Sequence, residues 1–543
     1  MKKTIALILT VIMIIITLPS FPISASAWTP ISNAEEFMAM APSGSYYLTS
    51  DITLSATYEP AFEGALNGNG KTLTVSAPIF SDFSGKVENL TINGEIKLSD
   101  RDAAAFTVTS AKGFESVNCI NNASVIVSGN AKYAAAFVGT CYAPVKFTNC
   151  VNNGNISIDS SADEKPRAGG FGAVIDTLAM NGCINNGNIY LKGNKGIAGG
   201  LVARVAFNPA KNYLEIYNST NNGNVTVEDT YIAKDGTEGT GASDAGGIVG
   251  YIGTSKNIGT YKVWGCTNNG NIDAPYRVGG FVGYCYASGY DTYIDMQFCI
   301  NTGNVTYGRT KAKAGAIYYD YASGLVAYTN SPGTTIKYSV DTGKVTLRDG
   351  AVTSNKMIFV GASSANIFDY DLAGIYIVNI DIDPSTYIPE MPPASSTIYR
   401  EPVFGDKLHK ITLADIASGK VAYEINLAAE EDTYGDSAYK AGFAFYQKIG
   451  EDSLPSVDSS RGWVVLDGNT YANGTRETEP PETTEAPAET TQSPKTEVPA
   501  LTDEPTSVPP IDGPPKTGCG GMVAGSVAII VLLGTTLVIK KRD

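Results

Sequence analysis

The sequence predicts an all-β fold, a right-handed parallel β-helix, on three observations. One heptapeptide recurs down the chain: Cys150-Val-Asn-Asn-Gly-Asn-Ile156, Cys183-Ile-Asn-Asn-Gly-Asn-Ile189, Ser219-Thr-Asn-Asn-Gly-Asn-Val225, Cys266-Thr-Asn-Asn-Gly-Asn-Ile272 and Cys299-Ile-Asn-Thr-Gly-Asn-Val305. Looser copies begin at Leu90, Cys119 and Ser339, so successive units start 29, 31, 33, 36, 47, 33 and 40 residues apart. A constant motif with elastic spacing is the sequence form of a solenoid. A second element alternates with the first, as in Gly169-Gly-Phe-Gly172, Gly199-Gly-Leu-Val202, Gly246-Gly-Ile-Val-Gly250 and Gly279-Gly-Phe-Val-Gly283. Finally, Ile, Val, Phe, Tyr and Thr fill the repeats with period two, and glycines interrupt every few residues, which strands tolerate and helices do not.

From the N-terminus, Met1-Lys-Lys, the apolar run Ile5 to Leu18 and the small residues Ser24-Ala-Ser-Ala27 have the three-part form of a secretory signal peptide over 1–27. Residues 28–60 are expected to cap the solenoid. Within them Ile31 to Met40 has the pattern of a short helix, with Ser32 or Asn33 as its N-cap.

Residues 61–350 are the repeats. Each coil is expected to have three faces: the Gly-Gly-Phe-Val strand, the strand ending at the Cys/Ser position, and the Asn-Ile-x-Ile strand. Stacking at about 4.8 Å puts like residues over like and gives a rod of roughly 35–40 Å. The first motif asparagines, Asn121, Asn152, Asn185, Asn221, Asn268 and Asn301, then form an amide ladder. Cys119, Cys150, Cys183, Cys266 and Cys299 share one repeat position, which Leu90 also occupies. A position that accepts Leu is a core position, so these are expected to be a ladder of buried thiols rather than disulfides or zinc ligands. Cys141 and Cys285 lie several coils apart and are not expected to pair.

The alternation of Cys-x-Asn-x-Gly-x-Ile with Gly-Gly-Ile-Val-Gly resembles the GLUG-type repeats of bacterial secreted and surface proteins, clostridial ones included, over roughly residues 60 to 345. Phe62-Glu-Gly-Ala-Leu-Asn-Gly-Asn-Gly-Lys-Thr-Leu73 is similar to the opening segment of such β-helices, with Asn67 in place of the usual Asp. The resemblance implies display or adhesion. It assigns no single ligand or catalytic centre.

Residues 351–473 are expected to hold further coils and a closing module. Pro384 to Pro402 has the composition of a connection. Thr412-Leu-Ala-Asp-Ile-Ala-Ser-Gly419 has the form of a short helix, with Thr412 as N-cap and Gly419 as terminator, placed to cover the open end of the solenoid. The run 474–517, rich in Thr, Pro and Glu, cannot bury a core and has the composition of a disordered stalk. The last segment, 518–543, contains the apolar stretch Met522 to Ile539 followed by Lys540-Lys-Arg542, the form of a transmembrane helix with a basic cytoplasmic flank. Just before it, Pro514-Pro515-Lys516-Thr517-Gly518 resembles the Leu-Pro-x-Thr-Gly sortase signal of Gram-positive surface proteins, with Pro514 in place of Leu. The expected location is therefore the cell surface, held by a membrane helix or by the cell wall with a sortase as partner.

Composition narrows the chemistry. With 54 acidic against 39 basic residues the net charge is −15, which argues against nucleic acid as a partner. The single histidine, His409, falls in a polar connection and leaves no multi-histidine metal site possible. Two loops gather charge: Asp159, Asp163, Glu164, Lys165 and Arg167, then Glu228, Asp229, Asp235, Glu238 and Asp244. They have the character of solvated loop charges, and Ca²⁺ is the one cofactor the second group would suit. Tyrosine is locally enriched at Tyr284, Tyr286, Tyr290 and Tyr293, then at Tyr307, Tyr318, Tyr319, Tyr321 and Tyr328. Such side chains suit sugar rings or protein epitopes. The leading expectation is a non-enzymatic surface protein that contacts a glycan or protein. A polysaccharide lyase or glycoside hydrolase built on the same fold is the alternative.

Overall fold

A computed structural model describes residues 28–162, 165–206, 213–230, 243–254, 259–287, 292–310, 320–329, 334–351, 371–378, 408–432 and 437–476. The signal segment, the stalk, the sortase-like motif Pro514 to Gly518 and the apolar tail lie outside these residues, as does the proline-rich connection. No described helix is long and apolar enough to cross a membrane.

The described chain winds as a parallel β-helix. Among the described residues, thirteen strands lie in one parallel column, from Thr29–Ile31 and Ser45–Leu48 through Leu214–Tyr217 to Asp371–Ile377 and Leu408–Lys410. At the parallel spacing that column is roughly 60 Å long. It runs past the repeats in both directions. Thr29–Ile31 and Ser45–Leu48 pair as coils, so the expected N-terminal cap is itself largely β-helix. His409, expected in a connection, sits in the last strand with its ring stacked on Tyr376 at 4.6 Å. The helix Ala34–Met38 forms as expected, with the Asn33 side chain capping Glu36 and Phe37 entering the core.

Each coil has the three expected faces and two further short strands. One is the two-residue Ile-Asn pair after the cysteine position, such as Ile184–Asn185. The other precedes the Gly-Gly bend and forms a separate seven-stranded sheet that includes Arg167–Gly169, Asp244–Gly246 and Arg277–Gly279.

The inner ladder is continuous. Asn121 donates to Asn152, and the chain of amides proceeds through Asn185, Asn221, Asn268 and Asn301 to the Asp341 carboxylate, every step at 2.7–2.8 Å. All six asparagines are fully buried, and each amide also donates to the carbonyl two residues on. A second row runs along the exposed side: Asn122, Asn153, Asn186, Asn222 and Asn269 each donate to the preceding coil, at 2.7–2.8 Å. The two rows therefore point in opposite directions along the axis.

The ladder also explains why the two sequence elements recur together. A Cβ on the second glycine of each Gly-Gly pair (Gly200, Gly247, Gly280) would strike both the next coil's backbone and the ladder asparagine (Asn221, Asn268, Asn301). In these coils the bare bend leaves room for the amides beneath it, whereas Ala136 holds the same place beside the ladder in an earlier coil.

The thiols occupy the predicted position. Cys119, Cys150, Cys183, Cys266 and Cys299 are buried and unpaired, as are Cys141 and Cys285. The position also suits a short donor: Cys299 Sγ reaches the Gln297 carbonyl, and Ser219 and Ser339 make the equivalent bond at 2.8 and 2.9 Å. The preceding residue is left-handed in every coil, at Asn89, Asn118, Asn149, Gly182, Asn218, Gly265, Phe298 and Tyr338.

The last two of these are unusual, because a bulky side chain seldom adopts positive φ. Both lie in the second hydrophobic cluster, where Trp264, Phe298, Ile300, Tyr338, Val340 and Tyr376 of the solenoid meet Ile416, Val421, Ile425, Phe445 and Val464. Here one expectation needs correction. The helix Leu413–Ala417 forms as expected, with Thr412 in a capping box and left-handed Gly419, at φ +87°, ending it, but a second helix, Lys420–Glu431, follows at once. Together with the hairpin Trp463–Asp467 and Thr470–Gly474, these helices pack along the flank of the solenoid, not over its end. The reason is the outward row of aromatic residues from Tyr217 to Tyr376, which needs cover over several coils.

Candidate functional site

Two columns of outward side chains meet at the Gly-Gly bend. The first residue of each short strand forms one column in strict register: Tyr133, Arg167, Ile197, Asp244, Arg277 and Tyr321. Seven residues further along each coil stands the other: Val174, Arg204, Tyr251, Tyr284 and Tyr328. The bend turns the two rows toward each other. The Arg277 guanidinium lies 3.5 Å from the Tyr284 ring centroid, and Tyr321 packs on Tyr328 at 4.7 Å.

The lower part of this corner is aromatic. Tyr251, Tyr284 and Tyr328 follow one another edge to face at 5.1 and 5.2 Å, and Tyr286 joins Tyr284 at 6.0 Å. Arg277 is 8% exposed and its Nε donates to Asp244, itself fully buried, at 2.5 Å. Arg309 is held against Tyr276 at 4.3 Å and pairs with Asp320 at 2.7 Å. Cationic side chains over tyrosine faces fix the rings, which leaves their edges and hydroxyls as the presented surface. Burial raises the Tyr251, Tyr284 and Tyr321 hydroxyls above their ordinary range, so they act as neutral donors.

The upper part is cationic. Arg167 lies over Tyr133 at 5.4 Å and donates to its hydroxyl at 3.1 Å; Arg204 lies over Tyr251 at 5.5 Å. Burial, then the charge of Arg204, holds the Arg167 guanidinium below its ordinary range. Tyr142, 60% exposed, completes the cluster with Asp176, whose carboxyl burial pushes up to about 6 against the pull of Arg204.

Of the tyrosines singled out from the sequence, the corner brings together Tyr284, Tyr286, Tyr321 and Tyr328. Tyr290, Tyr318, Tyr319 and the Tyr293 side chain lie outside the described residues. Tyr307 points inward and is core. Two charged residues expected in solvated loops are instead structural: Arg167 and Asp244 open strands, and Asp244 has no exposure at all. They do recur in register, because each stands two residues before a Gly-Gly pair, as do Ile197 and Arg277. That fixed offset was the available signal. Of the group suggested for Ca²⁺, Asp235 and Glu238 lie outside the described residues, Asp229 accepts from Ser243, and Asp244 is committed to Arg277. Among the described residues no cluster of three or more His, Cys, Asp or Glu side chains is arranged to hold a metal.

Fold and corner together define a repeat-built parallel β-helix with an aromatic and guanidinium-lined face. No family model matches the chain, and no curated protein matches it. A solved structure of a putative immunoglobulin A1 protease from Bacteroides ovatus aligns with 57% of this chain and 85% of its own, at 15% identity and a TM-score of 0.32. Similarity at that level carries no functional argument.

Proposed function

We propose that this chain is a non-enzymatic cell-surface display or adhesion protein, a right-handed β-helix of the GLUG type whose corner binds an extracellular glycan or protein. The observation that carries the reading is the run Tyr251, Tyr284 and Tyr328, held in register on consecutive coils and fixed by Arg277. An extended ligand lying along the axis would meet one aromatic edge per coil. Rigid rings lose little entropy on binding, which favours affinity built from stacking. The signal segment, stalk and sortase-like motif or membrane helix would place this face outside the cell.

A second reading, cleavage of a polysaccharide, draws on Asp176, since a carboxyl held near neutrality beside arginines and tyrosines is the type of group that general acid chemistry uses. Both readings are tested with the full chain in mild detergent on a panel of glycans, with binding and newly formed reducing or unsaturated ends measured together. The adhesion reading expects binding without new ends, weakened about 10-fold in Tyr284→Ala, the scale of one lost aromatic contact. New ends that vanish in Asp176→Asn would replace it with the enzyme reading, and binding untouched in both Tyr284→Ala and Tyr328→Ala would remove the corner from it.

A further inference from the structure

The glycan reading leaves Arg167 and Arg204 unused. Their neighbour Arg277 is matched by Asp244, and Arg309 by Asp320. Arg167 and Arg204 differ: among the described residues neither makes an ion pair, and the Nε of each is buried with no hydrogen-bond partner. A buried guanidinium donor left unmet is destabilising. Two positive charges beside each other add repulsion, which together with the larger effect of burial lowers Arg167. The cluster's own carboxyl, Asp176, can offset at most one of the two charges, so a positive excess remains. On a chain of net charge −15, a local positive excess rimmed by the hydroxyls of Tyr133 and exposed Tyr142 is the exception.

We infer that Arg167 and Arg204 form an anion subsite at one end of the tyrosine corner, so that the ligand is a glycan bearing carboxylate or sulfate groups. The planar guanidinium fork suits oxyanions in two-point geometry. Tyr251 joins this subsite to the aromatic run, since it contacts both Arg204 and Tyr284. A sugar ring on the tyrosines would thus carry its acidic substituent toward the arginines. This rests on the glycan-binding reading.

The test compares oligogalacturonate, the same oligosaccharide with its carboxyls reduced to alcohols, and dextran sulfate, on the full chain and on R167Q/R204Q. The expected result is at least 10-fold tighter binding of oligogalacturonate or dextran sulfate than of the reduced oligosaccharide, with the better ligand naming the anion. The double variant should lose that preference and its salt dependence, so that charged and reduced forms bind it equally. K97Q/K146Q, which removes two exposed charges elsewhere, should change nothing. Equal affinity for charged and reduced forms, or a preference that survives in R167Q/R204Q, would overturn the inference while leaving the glycan reading intact. Failure of all three probes to bind would count against both.

Discussion

The amide of Asn301 donates to the carboxylate of Asp341 at 2.8 Å, so the buried asparagine ladder ends on an acid. Six coils have Asn at this position, and only here does the next residue in line carry Asp. Burial pushes the Asp341 carboxyl up to about 7, against the bonds from Asn301 and Gly343. The folded chain therefore holds this proton over a range in which the unfolded chain, near 3.8, has released it. The site's contribution is fully present below the unfolded value and is lost as pH rises toward 7. Asp341→Asn should flatten that dependence and stabilise the protein at pH 8 by about 1–3 kcal/mol, the range for a buried polar group relieved of its desolvation penalty. Thermal unfolding of both proteins at pH 5 and pH 8 checks it; equal pH slopes would refute the assignment.

The two asparagine rows should differ sharply in cost. Asn221→Ala removes three buried bonds, those with the Asn185 amide, the Gly223 carbonyl and the Asn268 amide oxygen, which predicts a loss of about 2–4 kcal/mol. Asn222→Ala breaks only exposed bonds and should cost well under about 1 kcal/mol. Denaturant melts of the pair measure the difference directly.

Gly265 is the bend residue on which Phe443 of the closing module rests. A Cβ there would meet the Phe443 ring at 2.8 Å in a backbone at φ +65°. Gly265→Val should therefore cost about 1–3 kcal/mol in strain and loosen the module first. Hydrogen exchange would show Lys420–Glu431 losing protection while Ile189–Gly193 keeps it. Uniform loss across both would mean the contact is not a docking point.

The thiols should be inert until the fold opens. Burial drives Cys266 up to about 12 and, reinforced by the neighbouring Cys150 and Cys266 thiols, raises Cys183 and Cys299 well above the ordinary thiol range. At pH 8 iodoacetamide should label none of the ladder cysteines in the native chain and all of them in denaturant, as mass spectrometry will report. Cys266→Ser should cost less than about 1.5 kcal/mol, since Ser219 and Ser339 already show a hydroxyl satisfied at this position.

Much of the solenoid was legible because stacking converts spatial neighbours into a period. The Asn and Cys columns, and the helix caps at Asn33 and Thr412, follow from residue type and spacing alone. The corner was only half visible. Tyr284 and Tyr321 stood out by composition, but Arg167 and Asp244 looked like loop charges because they flank insertions, where local polarity outweighs register. Their burial depends on side chains one coil away, and nothing local in the sequence announces it. The flank docking of the closing module was hidden for a similar reason: Phe298 and Tyr338 fill a left-handed position that elsewhere takes Asn or Gly, and only the partner surface explains them.

The opposed direction of the buried and exposed asparagine rows has a consequence for growth. A single file of aligned amides would accumulate polarity with each turn added, leaving a larger field at both termini. Two files running head against tail offset one another, so a turn can be gained or dropped without electrical penalty. Nothing in the amide arithmetic sets a preferred number of turns, and the reach of this scaffold is free to vary by duplication.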